Sequence, residues 1–157
     1  MFHLIPAGLH RAGLRAAHRA RKQYWRLAKP ALTGVTVIAL DGAGQVLLVR
    51  HTYGSGLWSL PGGGLRRGEA PHVAAMREFA EELGCAIERI EAVGLHRSTL
   101  HGAPTERHVF RGKIAVTPQP DGREVAEARF FASDKLPEGC SGVVLECLAM
   151  AQGAPES

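Results

Sequence analysis

Basic and apolar positions separate onto two sides of a helical repeat in the first thirty residues. Over residues 8–28, Arg11, Arg15, Arg19, Lys22 and Arg26 fall along one side, with Leu9, Ala17, Ala20, Tyr24 and Leu27 closer to the other. This spacing predicts an amphipathic helix that Pro30 would end soon after Lys29. From Gly34 the pattern becomes that of strands. Residues 34–40 (GVTVIAL) are β-branched and apolar, DGAG (41–44) is a turn signal, and QVLLVRH (45–51) follows, so the two read as a hairpin. A loop at 52–56 and the segment LWSLPGGG (57–64) lead to APHVAAMREFAEELG (70–84), which predicts a helix. Pro71 suits its first turn and Gly84 its end. Val73, Met76, Phe79, Ala80 and Leu83 make its apolar side, which puts any functional groups on the opposite one. Further strands are expected over 87–100, 107–116 and 125–132, with loops at 101–106 and 117–124, and residues 141–151 read as a closing helix. Strands flanking a central helix, with a second helix at the end, predict an α/β sandwich.

The central helix carries the chemistry. Glu78, Glu81 and Glu82 stand at i, i+3 and i+4 and so share one face. Acidic runs on surface helices are usually only solvated. Three like charges held together make sense beneath a divalent cation, and an oxygen-only set suits a hard one such as Mg²⁺ or Mn²⁺. The surrounding residues decide between these readings. Gly63, Glu69, Arg77, Glu78, Phe79, Glu81, Glu82, Gly84 and Cys85 fall at the spacings of the Nudix box, and the 23-residue segment from Gly63 to Cys85 resembles that signature at every fixed position. The box marks hydrolases acting on nucleoside diphosphates linked to another moiety. Flanking features extend the resemblance to roughly residues 33–150.

The resemblance implies a Nudix-type α/β/α sandwich with a mixed central sheet, here with a basic N-terminal helix added. It implies Mg²⁺, with Mn²⁺ as the alternative, held by Glu78 and Glu82 as principal ligands and by a carbonyl of the glycine loop, matched by Gly62. It assigns Glu81 to a second metal or to deprotonation of water, which places Glu81 and Glu82 among the catalytic residues. A further metal-binding or general-base glutamate is expected in the REVAEARFF segment, where Glu124 is the first choice over Glu127; a solvated loop acid is the plain alternative. Arg77 can hold Glu69 or a metal-bound carboxylate in a bidentate fork, a supporting role that an ordinary surface ion pair would also explain. Arg50, at the end of its strand, is a candidate for substrate phosphate, with Arg66 a weaker one in the box loop. Tyr53 could stack on a base. Trp58 reads as core. His96, His101 and His108 gather around one loop, and His101 is named for the substrate mouth.

Composition narrows the rest. The 157 residues suffice for one domain, divided here into a helical extension over 1–30, a Nudix domain over 31–152 and a tail over 153–157. With 45% hydrophobic and 22% charged residues, the chain reads as a soluble globular protein. Three scattered cysteines make neither a disulfide framework nor a zinc ribbon, and the expected compartment is the reducing cytoplasm. No apolar run is long enough to cross a bilayer. The net charge of +4 is uneven: residues 1–30 carry seven Arg or Lys and no acid, leaving twelve basic and fifteen acidic residues, a charge of −3, on the body. The favoured reading of the basic helix is a solvated face packed over the body; the sharper one is contact with an anionic partner such as RNA, lipid or an acidic protein. Together these imply Mg²⁺-dependent cleavage of a phosphoanhydride in a small nucleotide substrate: a nucleoside triphosphate, a nucleotide sugar or an ADP-ribose-like compound. An RNA 5′-end pyrophosphohydrolase and a non-catalytic nucleotide-binding regulator are the alternatives. Because family members are often dimers, a homodimer is one assembly to expect.

Overall fold

The computed structural model describes residues 12–14, 16–17, 32–87, 89–100, 102–120 and 122–153. Residues 12–14 and 16–17 are helical; the rest of the expected basic helix, its proposed anionic partner, His101 and the residues after Gly153 lie outside the described residues. The described elements run β1 (Leu32–Leu40), β2 (Val46–His51), β3 (Trp58–Ser59), β4 (Gly62–Gly64), α1 (Pro71–Leu83), β5 (Ile90–Leu100), β6 (Ala103–Lys113), β7 (Val125–Phe131) and α2 (Gly142–Gly153). No described helix is long and apolar enough to cross a membrane.

The seven strands form one mixed sheet in the order β3-β2-β1-β6-β5, with β4 pairing β1 and β7 pairing β2. β1 is its centre. It runs parallel to β6 along its whole length and antiparallel to β4, while its link to β2 is only the Leu40–Val46 pair at the turn. The expected hairpin therefore opens immediately: β1 takes β6 and β4 as neighbours, and β2 takes β3 and β7. Asp41 closes the turn through Oδ1, which accepts the N–H groups of Ala43 (2.9 Å) and Gln45 (2.8 Å).

Alternation along β1 and β2 builds a core on each face of the sheet. Val35, Val37, Ala39, Leu47 and Val49 face Ala74, Ala75, Phe79 and Leu83 of α1. Ile38, Val46 and Leu48 face Trp58, Leu60 and Val109, with Val144 and Cys147 of α2. Both faces are covered, which is why these two strands read as unbroken apolar runs. The result is the α/β sandwich that the pattern predicts, with the mixed sheet between helices that the resemblance implies.

Helix α1 departs from expectation in the side it buries. Val73 and Met76 are 47% and 40% exposed and Ala80 is exposed; the buried residues are Ala74, Ala75, Phe79, Glu82 and Leu83. Two alanines let the helix axis approach the sheet where larger residues would hold it off. Glu82 is thus carried onto the buried side and not opposite it. Pro71 opens the helix and Gly84 closes it in the left-handed conformation (φ 62°), its N–H donating to the Ala80 carbonyl. The expected loop over 101–106 is shorter than predicted, since β6 already begins at Ala103.

Candidate active site

β4 is three glycines laid against β1, in the register Thr36–Gly62, Val35–Gly63 and Gly34–Gly64. Side chains from α1 close over it. Glu82, 5% exposed, accepts the Gly62 N–H on Oε2 (3.1 Å), and its Oε1 meets His51 Nε2 (2.9 Å) from the end of β2. Glu78 lies over Gly63 so closely that a Cβ on that glycine would land on the Glu78 carboxyl group. Two of the three expected glutamates therefore converge on the glycine strand. The third, Glu81, has a side chain 51% exposed and turns toward Arg66 (3.4 Å) and Arg77 (3.4 Å).

Arg77 organises this cluster. Its Nε and Nη2 take both oxygens of Glu69 (2.7 and 2.9 Å), Nη1 donates to Glu78 Oε1 (2.9 Å), and Nη2 also donates to the Gly64 carbonyl (3.1 Å). One guanidinium thus ties the box loop, the glycine strand and a site carboxylate together. The Glu69 carboxyl is lowered from 4.5 to about 2, mainly by the Arg77 hydrogen bond and then by the Arg66 N–H. A depressed carboxylate contributes stability above its unfolded value and loses it as pH falls toward the folded one. Glu69→Gln is therefore expected to lower the melting midpoint at neutral pH. The gap from the unsubstituted protein should stay constant above about pH 5 and close between 4.5 and about 2 in a series of thermal melts. A gap independent of pH would show that the Glu69–Arg77 pair is not what holds the loop.

Glu78 moves the other way. Burial pushes its carboxyl up; Arg77 pulls it back, while the charges of Glu82 and Glu81 add to the rise. Among the described residues, no three His, Cys, Asp or Glu side chains already surround a common point. Glu81 would need to turn in from the solvent side to join Glu78 and Glu82. The donor chemistry nonetheless fits a hard dication: the available ligands are carboxylate and carbonyl oxygens, and a cation would relieve a raised carboxyl beside two like charges.

Beside the glycine strand opens a cleft of ≈ 450 Å³, floored by Gly34, Thr36 and Gly62–Gly64 and flanked by His51, Tyr53 and Arg107. The NUDIX domain family matches the chain over residues 30–143. The chain belongs to the Nudix hydrolase family. Members generally use a divalent metal. A Bacillus subtilis relative, provisionally named an 8-oxo-dGTP diphosphatase, is 33% identical over 105 residues, 66% of this chain and 68% of the relative. An ADP-ribose pyrophosphatase of Mycobacterium tuberculosis is 48% identical over 54 residues, 32% of this chain and 26% of the relative, so this chain spans about a quarter of that protein. The crystal structure of a MutT Nudix hydrolase from Burkholderia pseudomallei superposes with a TM-score of 0.71 at 24% identity, covering 76% of this chain and 97% of that one. At that identity the likeness speaks for the fold.

The remaining candidates fall at different distances from the Nudix glutamates. Arg50 forms an ion pair with Glu127 and stacks over Trp58, its guanidinium 5.1 Å from the ring centroid. A phosphate would compete with Glu127 for it. Glu124 precedes β7, and its carbonyl accepts the Thr52 N–H (3.0 Å), which brings that loop beside the His51 end of β2. Tyr53 lines the cleft with its ring 5.3 Å from that of His51. Trp58 is core, 7% exposed and edge-on to Phe131. His96 is buried and paired with Glu146 of α2, and neither it nor His108 lines the cleft. Sequence reasoning missed two residues of the site, His51 and Arg107. Neither belongs to a spaced motif; only strand register brings them in.

Proposed function

We propose that this Nudix-type pyrophosphohydrolase cleaves a phosphoanhydride bond in a nucleoside diphosphate linked to another moiety, such as a nucleoside triphosphate, a nucleotide sugar or an ADP-ribose-like compound. The observation that carries this reading is the convergence of Glu78 and Glu82 on the Gly62–Gly64 strand, which itself lines a cleft of ≈ 450 Å³. Such a volume suits a nucleotide. Glu78, Glu82 and the Gly62 carbonyl would hold Mg²⁺, with Glu81 completing the set. When bound, the ion neutralises diphosphate charge and lowers the pKa of a water.

The chain's own groups do the rest. Glu82 is held by the Gly62 N–H and by His51, so its carboxylate is fixed in place before substrate arrives. Glu81, the most exposed of the three, would take the proton of the attacking water once turned in. Glu124 is a second candidate for that proton, from the loop that precedes β7 beside the His51 end of β2. Arg66 and Arg50, now paired with Glu81 and Glu127, would be the contacts for phosphate oxygens.

The test is a panel of nucleoside diphosphate derivatives with Mg²⁺ or Mn²⁺, scored for phosphate release. Turnover should appear on at least one and vanish on chelation. Mg²⁺ alone should raise the melting midpoint, by the equivalent of about 2.7 kcal/mol at a hundredfold excess over its dissociation constant. Chelator-insensitive turnover, or none on the whole panel, would overturn the reading.

A further inference from the structure

The cleft holds a cation that the catalytic scheme leaves without a role. Arg107 projects from β6 into it, and among the described residues no carboxylate lies within ion-pair distance of its guanidinium. Its partner across the β5–β6 register is His96, and that histidine takes Glu146 of α2. Glu146, which like Arg107 lies close enough to Cys147 to act on its thiol, is therefore already engaged with a histidine. A half-buried guanidinium that lines a cleft and forms no ion pair among the described residues is prepared for an acceptor that enters.

The character of the lining says what. Among the described lining residues there is no Asp, Glu, Asn or Gln. Hydroxyls can donate or accept, but Arg107 presents N–H donors only, in a rigid planar fork. The side chains of this cleft thus offer donors in excess. Leu57, Leu60, Leu100 and Val143 add apolar walls, and Tyr53 adds a ring, which suits a flat heterocycle. The glycine strand on which the glutamates converge also lines this cleft, and the diphosphate would sit against it.

We propose that Arg107 sets the base preference of the site, selecting nucleobases with an oxo acceptor at position 6 of a purine or 4 of a pyrimidine, guanine above all, over those with an amino group at that position. The inference rests on the cleft being the nucleotide site of the proposed hydrolase. Guanine offers O6 and N7 side by side to an arginine fork, whereas adenine sets its N6 amino donor against it. Uracil and cytosine differ in the same sense at position 4.

Equilibrium binding of GMP, AMP, UMP and CMP to the full chain without metal tests this, together with phosphate release from GTP and ATP with Mg²⁺. GMP should bind about tenfold or more tightly than AMP, and UMP more tightly than CMP. Arg107→Gln should shrink the GMP to AMP ratio to within about threefold, and Arg107→Lys, which keeps the charge without the fork, should lose most of it too. Thermal melts establish that each variant is folded, and if the glutamine variant is not, the lysine variant carries the comparison. Equal binding of GMP and AMP overturns the inference. So does a lysine variant with the full preference, since the fork would then not read the base, or a glutamine variant weakened equally toward all four, which describes a contact to phosphate. A GMP preference lost in the variants, without hydrolysis of any nucleoside diphosphate derivative of the panel, upholds the inference and removes the hydrolase reading. Hydrolysis without base preference does the reverse.

Discussion

Glu82→Gln is expected to give a folded protein whose Mg²⁺-dependent turnover has fallen at least about 100-fold. The substitution is nearly isosteric, and both present contacts can be kept. The amide oxygen can accept the Gly62 N–H, and the amide nitrogen can donate to His51 Nε2 in the tautomer that leaves that atom bare. The melting midpoint should therefore shift by no more than the worth of about one hydrogen bond, ~1 kcal/mol. What disappears is the negative charge. In a site built of carboxylates, that charge is what a cation binds and what a water proton is drawn toward. Stabilisation by Mg²⁺ should shrink in parallel with turnover, and reading both separates lost metal from lost chemistry. Near-normal turnover in this variant, under saturating Mg²⁺, would remove Glu82 from the site.

What could be read from the residues alone was whatever local chemistry dictates. Pro71 and Gly84 are punctuation, and α1 begins and ends at them. The unbroken apolar runs of β1 and β2 announce strands buried on both faces, and both faces are covered. The spacing of Glu78 and Glu82 puts them on the same side of a helix whatever the helix packs against. The illegible parts were set by distant partners. A strand of three glycines has no propensity of its own; β4 exists because β1 offers it a ladder. Val73 and Met76 are more apolar than Ala74 and Ala75, yet the alanines are buried, because small residues permit the close approach and hydropathy ranks them low. That turn of the helix is also what buries Glu82. His51 and Arg107 enter the site through the registers of β2 and β6, and no spacing within either strand marks them.

The glycines of β4 allow a second large effect to be predicted and divided between fold and function. Gly63→Ala would place its Cβ on the Glu78 carboxyl group, while Gly62→Ala would place it on the Val35 carbonyl, with Thr36 Cα at 3.0 Å. Both are clashes, but what must yield differs. The end of a glutamate side chain can swing away at little cost in stability. The backbone of the central strand cannot move without disturbing its pairing with β6. Gly63→Ala should accordingly melt close to the unsubstituted protein while losing about 10- to 100-fold in metal affinity or turnover, the range seen when the support of a metal ligand is removed. Gly62→Ala should lose about 1–3 kcal/mol of stability, as overpacking of a tight core does. Thermal melts and Mg²⁺ titrations on the two variants give the comparison. If Gly63→Ala kept full turnover and Mg²⁺ affinity, the place of Glu78 over the strand would have no part in the site. If Gly62→Ala melted like the unsubstituted protein, β4 would not be held against β1 as tightly as the register requires. The requirement for glycine at 63, the first fixed position of the box, then has a local cause: the strand must leave room for the carboxylate that α1 brings to it.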